Sequence, residues 1–224
     1  MGVSMIRFGG SYVTSAPMPW TRWRGPPWLR PSAVDGIWRH GLMSGWGLFE
    51  MVDLANAIGA EPLLTIDPHD VGMLADLVEY CWGSGATSLG KQRIANGHPE
   101  PYNVSYFELG NEEYNSDFVE QVQAMEARAK AIGVPRKLYY LFPDNAGMSA
   151  ADAAKAKALG LGDQLLVDLH NRAEGGAGEI DKVVKMTNME DWGVLNGETN
   201  CGDHTVRLLG LLLWRYFLCL RLLH

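Results

Sequence analysis

Six short apolar runs, at residues 4–8, 62–66, 105–109, 137–142, 164–170 and 193–196, alternate along this chain with stretches of helical periodicity. The helical stretches fall at 47–57, 72–82, 117–131, 150–158 and 178–189. In the third of them Phe118, Val122, Met125 and Ala129 form one apolar stripe, with Glu120, Glu126 and Lys130 on the other side. Gly133-Val134-Pro135 stops it, since glycine accepts a left-handed cap and proline cannot continue a helix. Strands separated by helices pair in parallel through right-handed crossovers, which leaves a doubly wound sheet or a (β/α) barrel.

The residues just past the strands favour the barrel. Gly9-Gly10-Ser11, Asp67, Asn111-Glu112, Asp144-Asn145, His170-Asn171 and Glu198 are polar and able to do chemistry. A barrel gathers all its strand ends on one face, whereas an open sheet uses mainly one switch point. The expected fold is therefore α/β, a (β/α)8 TIM-type barrel. It is incomplete in its strand count: six strands are legible in 224 residues, where eight usually take about 250. Residues 1–207 are read as this partial barrel. Residues 208–224 form an apolar tail, shorter than the ~20 residues of a membrane span and interrupted by Arg215 and Arg221. The tail reads as a buried or aberrant helix, so no membrane partner is expected.

Composition mainly excludes. A net charge of −7 with no cluster of Lys and Arg argues against nucleic acid, whose affinity rests on basic groups. Cys81, Cys201 and Cys219 form no CxxC and have no histidine at a helical offset, so neither a disulfide framework nor a thiolate metal site is expected. His69 near Asp67 offers two ligands where a metal needs more. No metal and no cofactor is called for. The opening residues lack the charged and apolar regions of a signal peptide. An extracellular location stays open if the natural start lies upstream, and the compartment and oligomeric state are left unassigned.

Two stretches carry the chemistry. Phe107-Glu108-Leu109-Gly110-Asn111-Glu112-Glu113 and Val194-Leu195-Asn196-Gly197-Glu198-Thr199-Asn200 each run from an apolar strand into Asn, Gly and a carboxylate, with Asn196-Gly197 read as a turn in the second. Two carboxylates facing each other across a barrel mouth are the machinery of glycoside hydrolysis. Strand alternation puts Glu108, Gly110 and Glu112 on one side, so on spacing alone Glu108, Glu112 and Glu113 compete for the acid role. Glu113 also suits the first turn of the following helix. Trp20, Trp23, Trp28, Trp38 and Trp46 crowd the first fifty residues. They suit core packing, or an aromatic platform for sugar rings.

From Met5 to about Thr205 the chain resembles the α-L-arabinofuranosidases of glycoside hydrolase family 51, members of a clan of retaining (β/α)8 barrels. The matching segments include Met5-Ile6-Arg7-Phe8-Gly9-Gly10-Ser11, Trp23-Arg24-Gly25-Pro26, Gly45-Trp46-Gly47-Leu48-Phe49-Glu50 and Ala57-Ile58-Gly59-Ala60-Glu61-Pro62. They continue through Val78-Glu79-Tyr80-Cys81 and Ala95-Asn96-Gly97-His98-Pro99 to Phe107–Tyr114. The resemblance implies that Glu112, after the fourth strand of the family, is the general acid/base. It implies that Asn111 binds the sugar 2-hydroxyl and that Glu198, at the seventh strand, is the nucleophile, with Asp203 as rival. His170 would help orient the nucleophile, and Ser11 and Trp46 are further candidate sugar contacts. The family commonly has Asn where this chain has Ser11. By the same numbering residues 4–8 are the second strand, and the first and eighth are missing.

The implied function is retaining hydrolysis of terminal α-L-arabinofuranosyl groups from arabinose-containing polysaccharides, so the expected partner is a carbohydrate. Retention implies carboxylates ~5–5.5 Å apart. Two alternatives stay open: another retaining glycosidase of the clan, an endoglucanase or xylanase, and a non-catalytic fragment of such an enzyme.

Overall fold

The structure is a computed structural model describing residues 3–10, 19–30, 33–34, 42–43, 45–112, 116–143, 148–172 and 193–200. The side chains of residues 169–172 and 193–200 lie outside that description, as do all of 173–192 and the tail 208–224. In chain order the elements are β1 (Met5–Phe8), β2 (Ala33–Val34), β3 (Leu42–Met43), α1 (Leu48–Ile58), β4 (Glu61–Ile66) and α2 (Val71–Trp82). Then come α3 (Ser88–Ala95), β5 (Tyr106–Leu109), α4 (Phe118–Ile132), β6 (Tyr139–Pro143), α5 (Ala150–Ala158), β7 (Leu165–Arg172) and β8 (Gly193–Asn200). Six strands form one sheet in the order β1-β4-β5-β6-β7-β8, every neighbouring pair parallel.

One ion pair establishes that this sheet is curled. Arg7 on β1 comes within 3.8 Å of Asp168 on β7, which is four strands away in the sheet order. In a flat sheet four strand spacings amount to ~19 Å, far beyond the reach of an arginine. The strands therefore wrap around a common interior, the architecture expected from the strand ends.

Period-2 alternation divides the side chains between inside and outside. Leu64, Ile66, Phe107, Leu109, Tyr140, Phe142, Leu165 and Val167 point outward into one continuous core with the helices. Leu63, Leu141 and Leu166 point inward and pack with Met5, Tyr106 and Tyr139 as a separate apolar floor. One step toward the C-terminal ends, the inward positions become Arg7, Thr65, Glu108 and Asp168. The interior is thus apolar below and charged above.

The sequence reading differs from the structure in three places. Helix α3 was not anticipated: Ser88–Ala95 has no apolar stripe, and its buried residues are Gly90 and Arg93. The long connection from β1 to α1 holds two short 3-10 turns, Trp20–Trp23 and Pro27–Leu29, and the β2–β3 hairpin. β8 runs on to Asn200 instead of turning at Asn196-Gly197. The register against β7 moves from Asp168↔Leu195 to His170↔Glu198, so those two residues form a bulge that keeps the ladder going. The expected helix at 178–189 lies outside the described residues.

Below the barrel, His98 ties α1 to the strand leading into β5. Its ring stacks on Tyr102 with centroids 3.9 Å apart, Nδ1 faces the Glu100 carbonyl at 2.6 Å and Nε2 faces Asp53 Oδ1 at 3.0 Å. Only the imidazolium can donate to both acceptors, and the Asp53 contact raises the histidine pKa above its usual value. A raised folded-state pKa gives stability that is complete below about pH 6.5 and lost as pH climbs through the folded value. Denaturant titrations are expected to show a stability gap between wild type and His98→Gln at pH 5.5 that narrows by pH 8.5.

Candidate active site

The charged layer is built from four strands. Glu108, fully buried on β5, accepts Arg7 Nε at 2.7 Å on Oε2 and Arg7 Nη2 at 2.8 Å on Oε1. The Thr65 hydroxyl donates to the same Oε2, from the position that pairs with Glu108 across β4 and β5. Arg7 Nη2 also donates to Asn111 Oδ1 at 2.7 Å and lies 3.8 Å from Asp168 Oδ2. Burial pushes the Glu108 carboxyl above its usual range; Arg7 pulls against that rise and buried Asp168 adds to it. The two-point bond to Arg7, with the Thr65 donation, is the bonding of the ionised form. The two acids share one guanidinium.

Glycine lets β1 end this close to the network. Gly9 has φ 137°, and a Cβ there would lie 2.3 Å from Thr65 Cβ and 2.7 Å from its carbonyl oxygen. Across the sheet, Gly110 donates its N–H to the Ile66 carbonyl at 3.0 Å and prolongs β5 to the rim. Asn111 follows, almost wholly buried, and then Glu112, half-buried. Glu112 has φ 57°, the left-handed region, one of two non-glycine residues with positive φ among the described residues. Such a conformation costs ~1–3 kcal/mol, and residues held in it cluster at functional sites.

Of the residues proposed from sequence, Asn111 and Glu112 stand together at the end of β5, and Asn111 is engaged by Arg7. Glu198 and His170 are register partners on β8 and β7, which brings their backbones together. Their side chains, Ser11, Glu113 and Asp203 lie outside the described residues. Glu108, one of three acids left in competition, is bound inside the barrel by Arg7, while Glu112 stands at the rim. Trp46 is half exposed and Trp28 more so, whereas Trp20 and Trp23 belong to the core; Trp38 is outside the description. Trp20 Nε1 donates to the Met73 carbonyl at 2.7 Å, and Trp23 meets Phe8 edge-on, so both tie residues 19–30 to the start of α2 and the end of β1. His69 Nδ1 pairs with Asp67 Oδ1 beyond β4.

Arg7, Thr65 and Asp168 were not among the sequence candidates. The signal for two of them was present: Arg7 interrupts Met5-Ile6-Arg7-Phe8 and Asp168 interrupts Leu165-Leu166-Val167-Asp168-Leu169. A charge inside an apolar strand needs a partner, and here the partners are each other's neighbours across the barrel.

Comparisons with known proteins agree with this fold. Residues 1–182 match the family model described as alpha-L-arabinofuranosidase 1 domain. Over 144 residues the chain is 33% identical to alpha-L-arabinofuranosidase C of Emericella nidulans, covering 63% of this chain and 28% of that protein. An intracellular exo-alpha-(1->5)-L-arabinofuranosidase of Halalkalibacterium halodurans is 33% identical over 113 residues, 49% of this chain and 22% of its own length. The chain therefore spans less than a third of these relatives. Among solved structures, a family 51 α-L-arabinofuranosidase from Bifidobacterium longum has the same fold at TM-score 0.66 and 18% identity, covering 89% of this chain and 47% of that one. An α-L-arabinofuranosidase from Thermotoga maritima, solved with arabinose, gives 0.62 at 23% identity, covering 84% of this chain and 43% of that one.

Proposed function

The chain belongs to the alpha-L-arabinofuranosidase 1 domain family, and from that membership we propose that its strand-end site removes terminal α-L-arabinofuranosyl groups from arabinose-containing polysaccharides by retaining hydrolysis. The Glu198 carboxylate attacks the anomeric carbon while Glu112 protonates the departing glycosidic oxygen. The sugar is then held as an ester of Glu198. Glu112, now a carboxylate, takes a proton from water, which opens the ester and restores both acids. His170, paired in register with Glu198, orients the nucleophile. Ser11 and Trp46 complete the sugar contacts.

The observation that carries this reading is the Asn111-Glu112 turn. A guanidinium can only donate, so the Asn111 atom facing Arg7 Nη2 must be the amide oxygen. That leaves the Asn111 amide N–H groups for a sugar hydroxyl. A bond of this kind to the 2-hydroxyl strengthens as the ring becomes oxocarbenium-like. Glu112, the next residue, is then delivered beside the scissile bond by a backbone conformation that few residues adopt.

The test is hydrolysis of 4-nitrophenyl α-L-arabinofuranoside by the purified chain, with proton NMR of the first product. The expected result is release of the α-anomer and little turnover of the matching β-glucoside and β-xyloside. Preference for either of those aryl glycosides overturns the substrate class. A first-formed β-anomer overturns retention.

A further inference from the structure

We infer that Glu108 is a positioning residue: through its grip on Arg7 it holds the Asn111 amide in its sugar-facing orientation. This rests on the function proposed above, in which Glu108 has no other part.

The guanidinium is a rigid plane, so fixing two of its nitrogens fixes the direction of every N–H. Glu108 takes Nε and Nη2 at 2.7 and 2.8 Å, and the remaining Nη2 hydrogen then meets Asn111 Oδ1 at 2.7 Å. The carboxylate is itself anchored by the Thr65 hydroxyl on the adjacent strand, at a position paired with it in the sheet. Asp168 offers the same guanidinium a second acceptor, 3.8 Å from Nη2. With Glu108 in place the fork is aimed at the rim; without it, attraction to Asp168 draws Arg7 off Asn111. Glu108 is fully buried, so water does not restore a lost contact there.

Stability does not account for this arrangement. Buried ion pairs are commonly no more stabilising than apolar packing of similar volume. This barrel fills its lower interior with Met5, Leu63, Leu141 and Leu166 and needs no charge to do so. Among the described residues the two wholly buried acids, Glu108 and Asp168, lie in the layer that touches Asn111.

A double-mutant cycle tests the inference. Glu108→Gln keeps the shape but replaces one acceptor of the fork by a donor. It is expected to lower kcat/KM on 4-nitrophenyl α-L-arabinofuranoside about 10- to 100-fold. In an Asn111→Ala background the same change is expected to cost less than about threefold, because the group Glu108 acts through is already gone. Equal losses in both backgrounds, or no loss in wild type, overturn the inference. Thr65→Val, which weakens the anchor from the neighbouring strand, is expected to give a smaller loss that likewise disappears with Asn111→Ala. It serves if Glu108→Gln does not fold.

The Asn111 side-chain amide in nitrogen-15 spectra gives a readout independent of turnover. Glu108→Gln is expected to shift and broaden that pair of signals, and undisturbed signals overturn the inference. If Asn111→Ala itself leaves kcat/KM unchanged, or the wild type has no activity on the arabinofuranoside, the functional reading fails. The amide spectrum then still decides whether Glu108 holds Asn111.

Discussion

Glu112→Ala is expected to lower kcat/KM on arabinofuranosides with poor leaving groups by about 10²–10⁴, the usual worth of a positioned general acid. The loss in the first step shrinks for 4-nitrophenolate, which departs without a proton. Azide then discriminates between roles. In Glu112→Ala it attacks the sugar ester on Glu198 and yields the α-azide, with net retention. In Glu198→Ala, which has no ester step, azide enters directly and yields the β-azide. Opposite products from the two variants confirm both roles. Unchanged activity in either removes that residue from the mechanism, and for Glu198 transfers attention to Asp203. Circular dichroism of both variants checks that the fold persists.

Arg93→Met is expected to cost ~3–5 kcal/mol of stability without touching the proposed site. Arg93 is 1% exposed and donates only to main-chain oxygens. Nη1 reaches the carbonyls of Tyr80 at 3.0 Å, Cys81 at 3.3 Å and Gly83 at 2.7 Å, at the end of α2. Nε and Nη2 reach His98 at 3.1 Å and Pro99 at 3.2 Å, on the path into β5. A cation suits the negative end of a helix, and five carbonyls lose the guanidinium when it goes, while Cys81 keeps a second donor, the Tyr102 N–H at 2.9 Å. The midpoint of thermal unfolding should fall by roughly 10 °C. Arg93→Lys, with the charge but not the fork, should fall between, and a drop of under about 2 °C for Arg93→Met contradicts this account.

Arg93 also shows why part of the fold was hidden in the sequence. Strands such as Glu61–Ile66 announce themselves by apolar runs, and α4 by its stripe, because both bury ordinary hydrophobic residues. Helix α3 buries a glycine and an arginine, so its sequence looks like a solvated loop. The same limit applies to the site. Asn111-Glu112 was legible because strand, glycine and acid are adjacent in the chain. The Arg7 network joins residues 101 and 104 positions apart, and local pattern cannot supply partners at that range. At β8 a bulge carries the strand past the expected turn, since the ladder with β7 outweighs the local preference of Asn-Gly.

The two-storey interior has a practical corollary. Exchanges among aliphatic residues of similar volume in the storey of Leu63, Leu141 and Leu166 ought to tune robustness alone, for these side chains pack with Met5, Tyr106 and Tyr139 beneath the charged layer. Re-tailoring specificity belongs to the loops above the rim, where new side chains can be grafted while Arg7 and its partners are kept as a fixed template.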